Sequence, residues 1–373
     1  MRHTLFIIIF IHLLTGCNTS EKKRKKETVA TVKLLVTKHA DSLLEDPKIN
    51  AVSIGIYKNG KKYTSHHGVL DKGQGNSPTD STIYEIASVS KTFAGVLVAN
   101  AVIEGKIKLE DDIRTYLKQD FDNFEYKRHP IRIKHLLTHT SRMSKFLPER
   151  INALFSDFNE ELPFKVHEIQ KSYSKQEFLS DLSQLKIDTI PGVKYKYSNA
   201  DTELMAQILE NVYQKPFDSI LTSYFNDHVD MKNTHIHLSK NKMHHLANGY
   251  GMTGKMVPHE AVLYGADGGV KTTLPDMVNY IEFQLDLSNP TVLESHRVLY
   301  VNNSRKMAYY LPVKMHKEYG VYYSMHGGSF GTQNWLFILP EHDMGITIVT
   351  NQSDLDTANK LAHTVKALLQ ELM

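Results

Sequence analysis

Apolar residues recur along this chain with two different periods, and the switches between them mark out its elements. Over 29–44, Val32, Leu35, Val36 and Ala40 fall on one face of a helix. The stretch Val52-Ser53-Ile54-Gly55-Ile56-Tyr57 alternates with period two and predicts a strand, and Asn59-Gly60 behind it predicts the tight turn of a hairpin. A short apolar run from Ile83 to Ile86 leads into a helix over 88–104, apolar at Phe93, Leu97, Val98 and Ala101. Gly105 stands where a helix-terminating glycine belongs.

From 116 to 287 helical patterns and loops dominate, with helices expected over 133–138, 175–182, 201–212 and 275–285. The stretch 145–173 carries no readable motif. Strand patterns return at 307–311, 319–325, 334–339 and 345–350, before a closing amphipathic helix with Leu355, Ala358, Leu361, Ala362, Val365, Leu368 and Leu372 on one face. No repeat of 20–50 residues and no Gly/Ser- or Pro-rich linker divides the interior. Strands at both ends with helices between them predict an α+β fold: an antiparallel sheet built from both termini and flanked by helices, with a mainly helical domain inserted. On this reading 29–115 and 290–373 form the α/β unit and 116–289 the helical one. The cleft between them is the expected site.

Composition adds little. Apolar residues at 41%, charged residues at 23% and a net charge of +3 fit a soluble globular protein and argue against nucleic acid as a partner. The N-terminus is more specific. A basic start, Met1-Arg2-His3, precedes an apolar run over 5–14 that is too short for a membrane helix and right for an export signal over 1–16. Leu14-Thr15-Gly16-Cys17 resembles a bacterial lipobox, which implies lipidation of Cys17, the single cysteine, and a membrane partner through that anchor. A plain signal peptide with an accidental cysteine is the alternative. The charge run over 21–27 then reads as a solvated part of a tether spanning 17–28. These features place the protein in the bacterial cell envelope, with the folded part in the periplasm.

Ser88-Val89-Ser90-Lys91 matches S-x-x-K, a nucleophile motif of serine hydrolases, but so do Ser20/Lys23, Ser172/Lys175, Ser183/Lys186 and Ser239/Lys242. Ser88 alone sits where an apolar stretch meets an apolar helix, so that helix amides and dipole point at the reacting centre. Residues i and i+3 share a helix face, which puts Lys91 beside Ser88, where burial is expected to lower its pKa and suit it to act as a base. The alternative is a capping serine and a solvated lysine. His135 and His139 have metal-ligand spacing, yet no H-E-x-x-H and no third carboxylate accompany them, so they read as structural. No metal and no cofactor are expected.

Tyr84-Glu85-Ile86-Ala87-Ser88-Val89-Ser90-Lys91-Thr92-Phe93 resembles the nucleophile segment of the class C β-lactamase-related branch of the serine β-lactamase and penicillin-binding protein superfamily. Further segments agree in order. His135-Leu136-Leu137-Thr138-His139-Thr140-Ser141 is similar to a family stretch that ordinarily continues with glycine, where this chain has Arg142. Tyr197-Ser198-Asn199 after Pro191-Gly192 resembles the Y-x-N motif, and Gly268-Gly269-Val270-Lys271-Thr272-Thr273 with Asp276-Met277 a later helix start. His326-Gly327-Gly328-Ser329 holds the place of the third motif, and Thr350-Asn351 ends the strands that follow.

The resemblance implies a serine hydrolase working through an acyl-enzyme. Ser88 attacks, Lys91 takes its proton, Tyr197 relays a proton to the leaving group, and Asn199 bonds Lys91 and the substrate. The backbone amides of Ser88 and Ser329 form the oxyanion hole, with His326 and Gly328 supporting the substrate. Where β-lactamases carry Lys-Thr-Gly, His326 is mostly neutral near pH 7, so a substrate carboxylate loses its strongest partner, and the sequence locates no replacement cation. His326 packed against Tyr322 or Tyr323 on an edge strand is the alternative. The histidine-glycine version resembles the family's esterases and D-amino-acid peptidases, which implies ester or amide substrates, small or peptidic. A β-lactamase, and a catalytically silent binding lipoprotein of the same fold, are the competing readings.

Overall fold

The computed structural model describes residues 15–373, with side chains from Ala30 onward. The apolar run of the expected export signal lies outside the described residues, and so does the side chain of Cys17. Helix α1 (Thr15–Leu44) begins earlier than the apolar pattern predicts. Its added turns carry Glu, Lys and Arg, which are good helix formers.

Eight strands make one antiparallel sheet. They are β1 (Ala51–Lys58), β2 (Lys61–Gly68), β3 (Tyr300–Asn302), β4 (Arg305–Met307), β5 (Pro312–His316), β6 (Gly320–Gly328), β7 (Gln333–Leu339) and β8 (Met344–Thr350), in the order β2-β1-β8-β7-β6-β5-β4-β3. The first strand of the sequence thus pairs with the last, Ser53 opposite Val349 and Lys58 opposite Met344. Asn59 (φ +48°) and Gly60 (φ +73°) both take the left-handed conformation that a two-residue hairpin turn requires.

Alternation along the strands decides what covers each face. Val52, Ile54 and Ile56 join Ile346, Ile348 and Phe337 beneath α1 and the closing helix α5 (Thr357–Leu372), which inserts Leu361, Val365, Leu368 and Leu369. The opposite face carries Gly55, whose missing side chain admits helix α4 (Leu274–Leu285): a Cβ there would lie 2.6 Å from Val278. Beyond α4 the larger core is organised around α2 (Ser90–Ile103), whose residues are nearly all buried, and α3 (Asn199–Tyr213). A mixed α+β fold with a large antiparallel sheet flanked by helices is what the periodicity predicts.

Three further elements differ from expectation. The 307–311 strand stops at Met307, because Ala308 N–H turns back to the Leu311 carbonyl and Tyr310 takes φ +55°. This turn presses the Tyr309 carbonyl onto Gly95 of α2. The closing helix omits Leu355, which is 80% exposed, since Asp354 Oδ1 accepts from the amides of Asp356 and Thr357 and delays the start to Thr357. The helix over 88–104 also opens with a 3-10 turn, Ala87–Val89, before α2 proper.

Gly95 tests that packing. Alanine is the better helix former by about 1 kcal/mol, but a Cβ at 95 would collide with the Tyr309 carbonyl, a backbone atom with little room to move. Overpacking of this kind costs roughly 1–3 kcal/mol. Gly95→Ala is therefore expected to lower the urea midpoint; an unchanged or raised midpoint would show that the Tyr309 turn yields freely.

Candidate active site

Ser88 lies in the 3-10 turn that feeds α2, and the turn is held in an uncommon conformation. Ala87, just before it, takes φ +43°. A non-glycine residue there stores strain that its surroundings must offset. Ile86 N–H donates to the Val270 carbonyl at 3.1 Å, and the Ile86 carbonyl accepts from Asn334 Nδ2 at 3.1 Å. The same Asn334 amide donates to the Gly327 carbonyl at 3.0 Å, which ties β6 to the Ser88 turn. Gly327 has to be glycine for this approach, since any Cβ would strike the Ile86 carbonyl.

Three of the predicted residues meet at one atom. Ser88 Oγ lies 2.7 Å from the Tyr197 hydroxyl, and Lys91 Nζ donates to it at 3.1 Å. Lys91 is fully buried and also donates to the Asp267 carbonyl. Its ammonium is 5.1 Å from the centre of the Tyr197 ring. Ser198, the N-cap of α3, accepts from the Asp201 amide and so fixes Tyr197 just ahead of the helix.

His139 packs beneath Tyr197 with ring centroids 4.6 Å apart. Its Nδ1 is 3.5 Å from Asp201 Oδ2, yet burial pushes His139 well below its usual value and Asp201 well above. Burial thus disfavours the charged form of each group, and the contact serves as a packing support. His135 accepts from the Arg132 amide through Nδ1 and packs on Gly192. Arg142, where glycine is usual in the resembled stretch, takes φ +77° and is held by a two-pronged contact with Asp188 at 2.9 and 3.1 Å.

Two expected roles are not formed as drawn. Asn199 makes no hydrogen bond to Lys91, whose second partner is the Asp267 carbonyl; Asn199 Oδ1 is buried without a partner. Ser329 N–H already donates to the Thr332 carbonyl at 2.9 Å, because the β6–β7 hairpin closes on these residues. Ser88 N–H lies in a first helical turn, where amides lack intrahelical acceptors. His326 sits against Trp335, with centroids 4.9 Å apart, rather than against Tyr322 or Tyr323, and bonds Gln333 at 2.6 Å. Burial keeps its ring below the usual pKa, hence neutral.

Ser88, Tyr197, Asn199, His326, Gly328 and Ser329 all line one cleft of about 780 Å³. The stretch 145–173, unreadable in the sequence, supplies an aromatic wall: Phe146 stacks on Phe155 at 5.0 Å and Phe155 on Phe330 at 6.0 Å. Behind Lys91 lies a carboxyl cluster that sequence reading also missed. Glu203 accepts from the amides of Tyr264 and Asp267, and burial with the nearby Asp267 raises its pKa. Glu260 is pushed up to about 8 by burial first, then by Glu85 and Asp267. Gly268 leaves room for it, as a Cβ there would be 2.9 Å from Glu260 Oε2.

Comparison with known proteins gives the family and the fold. The family described as Beta-lactamase matches residues 36–371. A Beta-lactamase from Providencia stuartii is 23% identical over 354 residues, covering 83% of this chain and 84% of the relative. Protein flp from Staphylococcus aureus (strain MRSA252) is 25% identical over 321 residues, 83% of this chain but 60% of the relative's own length. Among solved structures, a beta-lactamase/D-alanine carboxypeptidase from Yersinia pestis superposes with a TM-score of 0.77 at 20% identity, covering 92% of this chain and 99% of that one. A class C beta-lactamase gives a TM-score of 0.77 at 19% identity, covering 92% and 97%.

Glu203 and Glu260 are held protonated, so their contribution to stability has a defined sign. Folded values raised above the usual 4.5 give stability that is full below about pH 4.5 and is lost as pH rises through the folded values. Thermal unfolding of the wild type is expected to weaken between about pH 5 and about pH 9. Glu260→Gln keeps the neutral shape and should flatten that decline; equal slopes for both proteins would refute the assignment.

Proposed function

The chain belongs to the beta-lactamase family, and from that premise we propose that it is a serine hydrolase that forms an acyl-enzyme on Ser88 and cleaves ester or amide bonds. The observation that carries the reading is the position of Ser88 Oγ, between the Tyr197 hydroxyl at 2.7 Å and Lys91 Nζ at 3.1 Å, on the wall of a cleft large enough for a substrate.

The steps follow from these contacts. Ser88 Oγ attacks the carbonyl carbon as its proton passes to the Lys91–Tyr197 pair, which receives it when the pair holds one proton fewer than an ammonium and a phenol together. Tyr197 then protonates the leaving oxygen or nitrogen, the acyl bond to Ser88 forms, and the leaving group departs. Water adds to the acyl-enzyme with the same pair removing its proton, and Ser88 is restored. Ser88 N–H stabilises the oxyanion, and a second donor at Ser329 becomes available only if its bond to Thr332 opens. Asn199 lines the cleft, and its Oδ1 would have to turn out of its buried position to accept from a substrate N–H.

The test uses a soluble form starting near Lys26, with a short-chain aryl ester, a D-alanyl amide and a chromogenic cephalosporin. Ser88→Ala should abolish turnover and the mass shift of an acyl adduct, while Lys91→Ala and Tyr197→Phe should lower kcat/KM by about 10²–10⁴. Turnover that survives Ser88→Ala would end the proposal. The ranking of the three substrates separates esterase, peptidase and β-lactamase.

The N-terminal pattern supports an exported protein anchored through Cys17. Labelled fatty acid should enter the wild type in cells and not Cys17→Ser, which should instead leave the membrane fraction; equal labelling would exclude the anchor.

A further inference from the structure

A carboxyl without a partner stands beside the nucleophile. Glu260 lines the cleft of Ser88, yet among the described residues its side chain makes no hydrogen bond and no ion pair. Only its backbone N–H is engaged, donating to Glu85 Oε1 at 3.1 Å. The charges around it are committed elsewhere. Glu85, on the short strand Ile83–Glu85, faces His259 Nδ1 at 3.4 Å and Lys271 Nζ at 3.8 Å. Lys271 also donates to the carbonyls of Ile236 and Gly269, and Glu203 of α3 accepts from the amides of Tyr264 and Asp267. An unpartnered acid half-buried in a cleft is unfavourable for stability, and such groups gather at functional sites.

Lys91 of α2 is bound to the segment that passes Glu260. Its ammonium donates to the Asp267 carbonyl, and Asp267 precedes Gly268. A Cβ at Gly268 would stand 2.9 Å from Glu260 Oε2 and 3.7 Å from the Ala87 backbone, so the missing side chain lets this carboxyl approach the turn that carries Ser88. Burial first, then the charges of Glu85 and Asp267, push Glu260 up to about 8, whereas Lys271 and Lys91 act against that rise. The influence is reciprocal. If the Lys91 ammonium eases ionisation of Glu260, an ionised Glu260 holds the proton on Lys91 by the same factor.

We propose that Glu260 is a positioning residue that controls the charge of Lys91, and through it the pH range over which Ser88 is activated. This rests on the serine hydrolase reading above. To accept the Ser88 proton, the Lys91–Tyr197 pair must first release one to solvent. With Glu260 neutral, its carboxyl does not oppose that release. If Glu260 gives up the proton instead, its carboxylate keeps Lys91 an ammonium, and the pair cannot accept from Ser88. The two forms hold equal numbers of protons, so raising the pH does not exchange one for the other. Competence returns only when a second proton leaves.

The experiment uses the full chain in detergent and an uncharged substrate, 4-nitrophenyl butyrate, with kcat/KM measured from about pH 5 to about pH 10 and corrected for the uncatalysed rate. The wild-type profile should rise, flatten near the titration of Glu260 and rise again. Glu260→Gln and Glu260→Met are both neutral, and both should lose the flattening. Their rates relative to the wild type should climb about 10-fold between about pH 6 and about pH 9, the effect of one pK unit of coupling. A purely structural role would change the rate by the same factor at every pH. A level ratio, a ratio that falls because Glu260 is itself the base, or a climb in only one variant overturns the proposal. If the variants do not fold, a wild-type profile with a single rise and no flattening overturns it as well.

Should no ester be turned over, the hydrolase reading fails separately and the coupling is read directly. The infrared band of the protonated Glu260 carboxyl, identified by its absence from Glu260→Gln, is followed against pH in the wild type and in Lys91→Met. Loss of the ammonium should move the disappearance of that band up by about one pH unit. An unmoved band overturns the link between Glu260 and Lys91.

Discussion

The site depends on how closely β6 approaches the turn that carries Ser88. One side-chain amide, that of Asn334, spans the gap by donating to the carbonyls of Ile86 and Gly327 at once. Each carbonyl is buried, and although the Ile86 carbonyl also accepts from the Val89 amide, losing the Asn334 amide would remove the hydrogen-bonded link between the two elements. Glycine at 327 permits the approach, and the Val270 carbonyl holds the Ile86 amide from the opposite direction. Clamped from two sides, the turn sustains the positive φ of Ala87 and presents Ser88 at the cleft.

A second constraint concerns charge. Lys91 is buried with its nitrogen on Ser88 Oγ and a backbone carbonyl, with Glu203, Glu260 and Asp267 near it. If all three acids ionised there, mutual repulsion and desolvation would outweigh what Lys91 and Lys271 return. The raised values of these carboxyls settle the imbalance, since most of the cluster stays neutral. Helices α2 and α3 can then meet around Lys91 without several unpaired anions in the core.

Much of this was readable in the sequence where one residue type serves one local purpose. The period-two run at Val52–Tyr57, the Asn59-Gly60 turn and the terminating Gly105 (φ +71°) answer to backbone rules that act over a few residues. Ser88, Lys91 and Tyr197 were found by motif and order, and they meet at one oxygen. What escaped was set by contacts distant in sequence. Asn334 looks like an ordinary strand residue until β6 meets the Ser88 turn, and Phe155 looks like a loop residue until Phe330 stacks on it. The engaged Ser329 amide reflects the length of a hairpin, which motif matching does not see. Arg142 shows the converse: the sequence flagged a missing glycine, and the chain keeps the left-handed turn by bracing the arginine on Asp188.

The adjacency of β1 and β8 bears on how the protein comes into being. Ser53 and Val349 are neighbours across the sheet although about 300 residues lie between them along the chain. Until β8 pairs with it, β1 has only the β2 hairpin, which is marginal alone. Closing so long a loop is entropically unfavourable and places this fold among slow folders of high contact order. A nascent chain that stops before residue 344 has no β8 and therefore no bridge between its two halves of the sheet. The β1–β8 seam is thus what ties the β6 clamp on the Ser88 turn to the β1–β2 edge of the sheet.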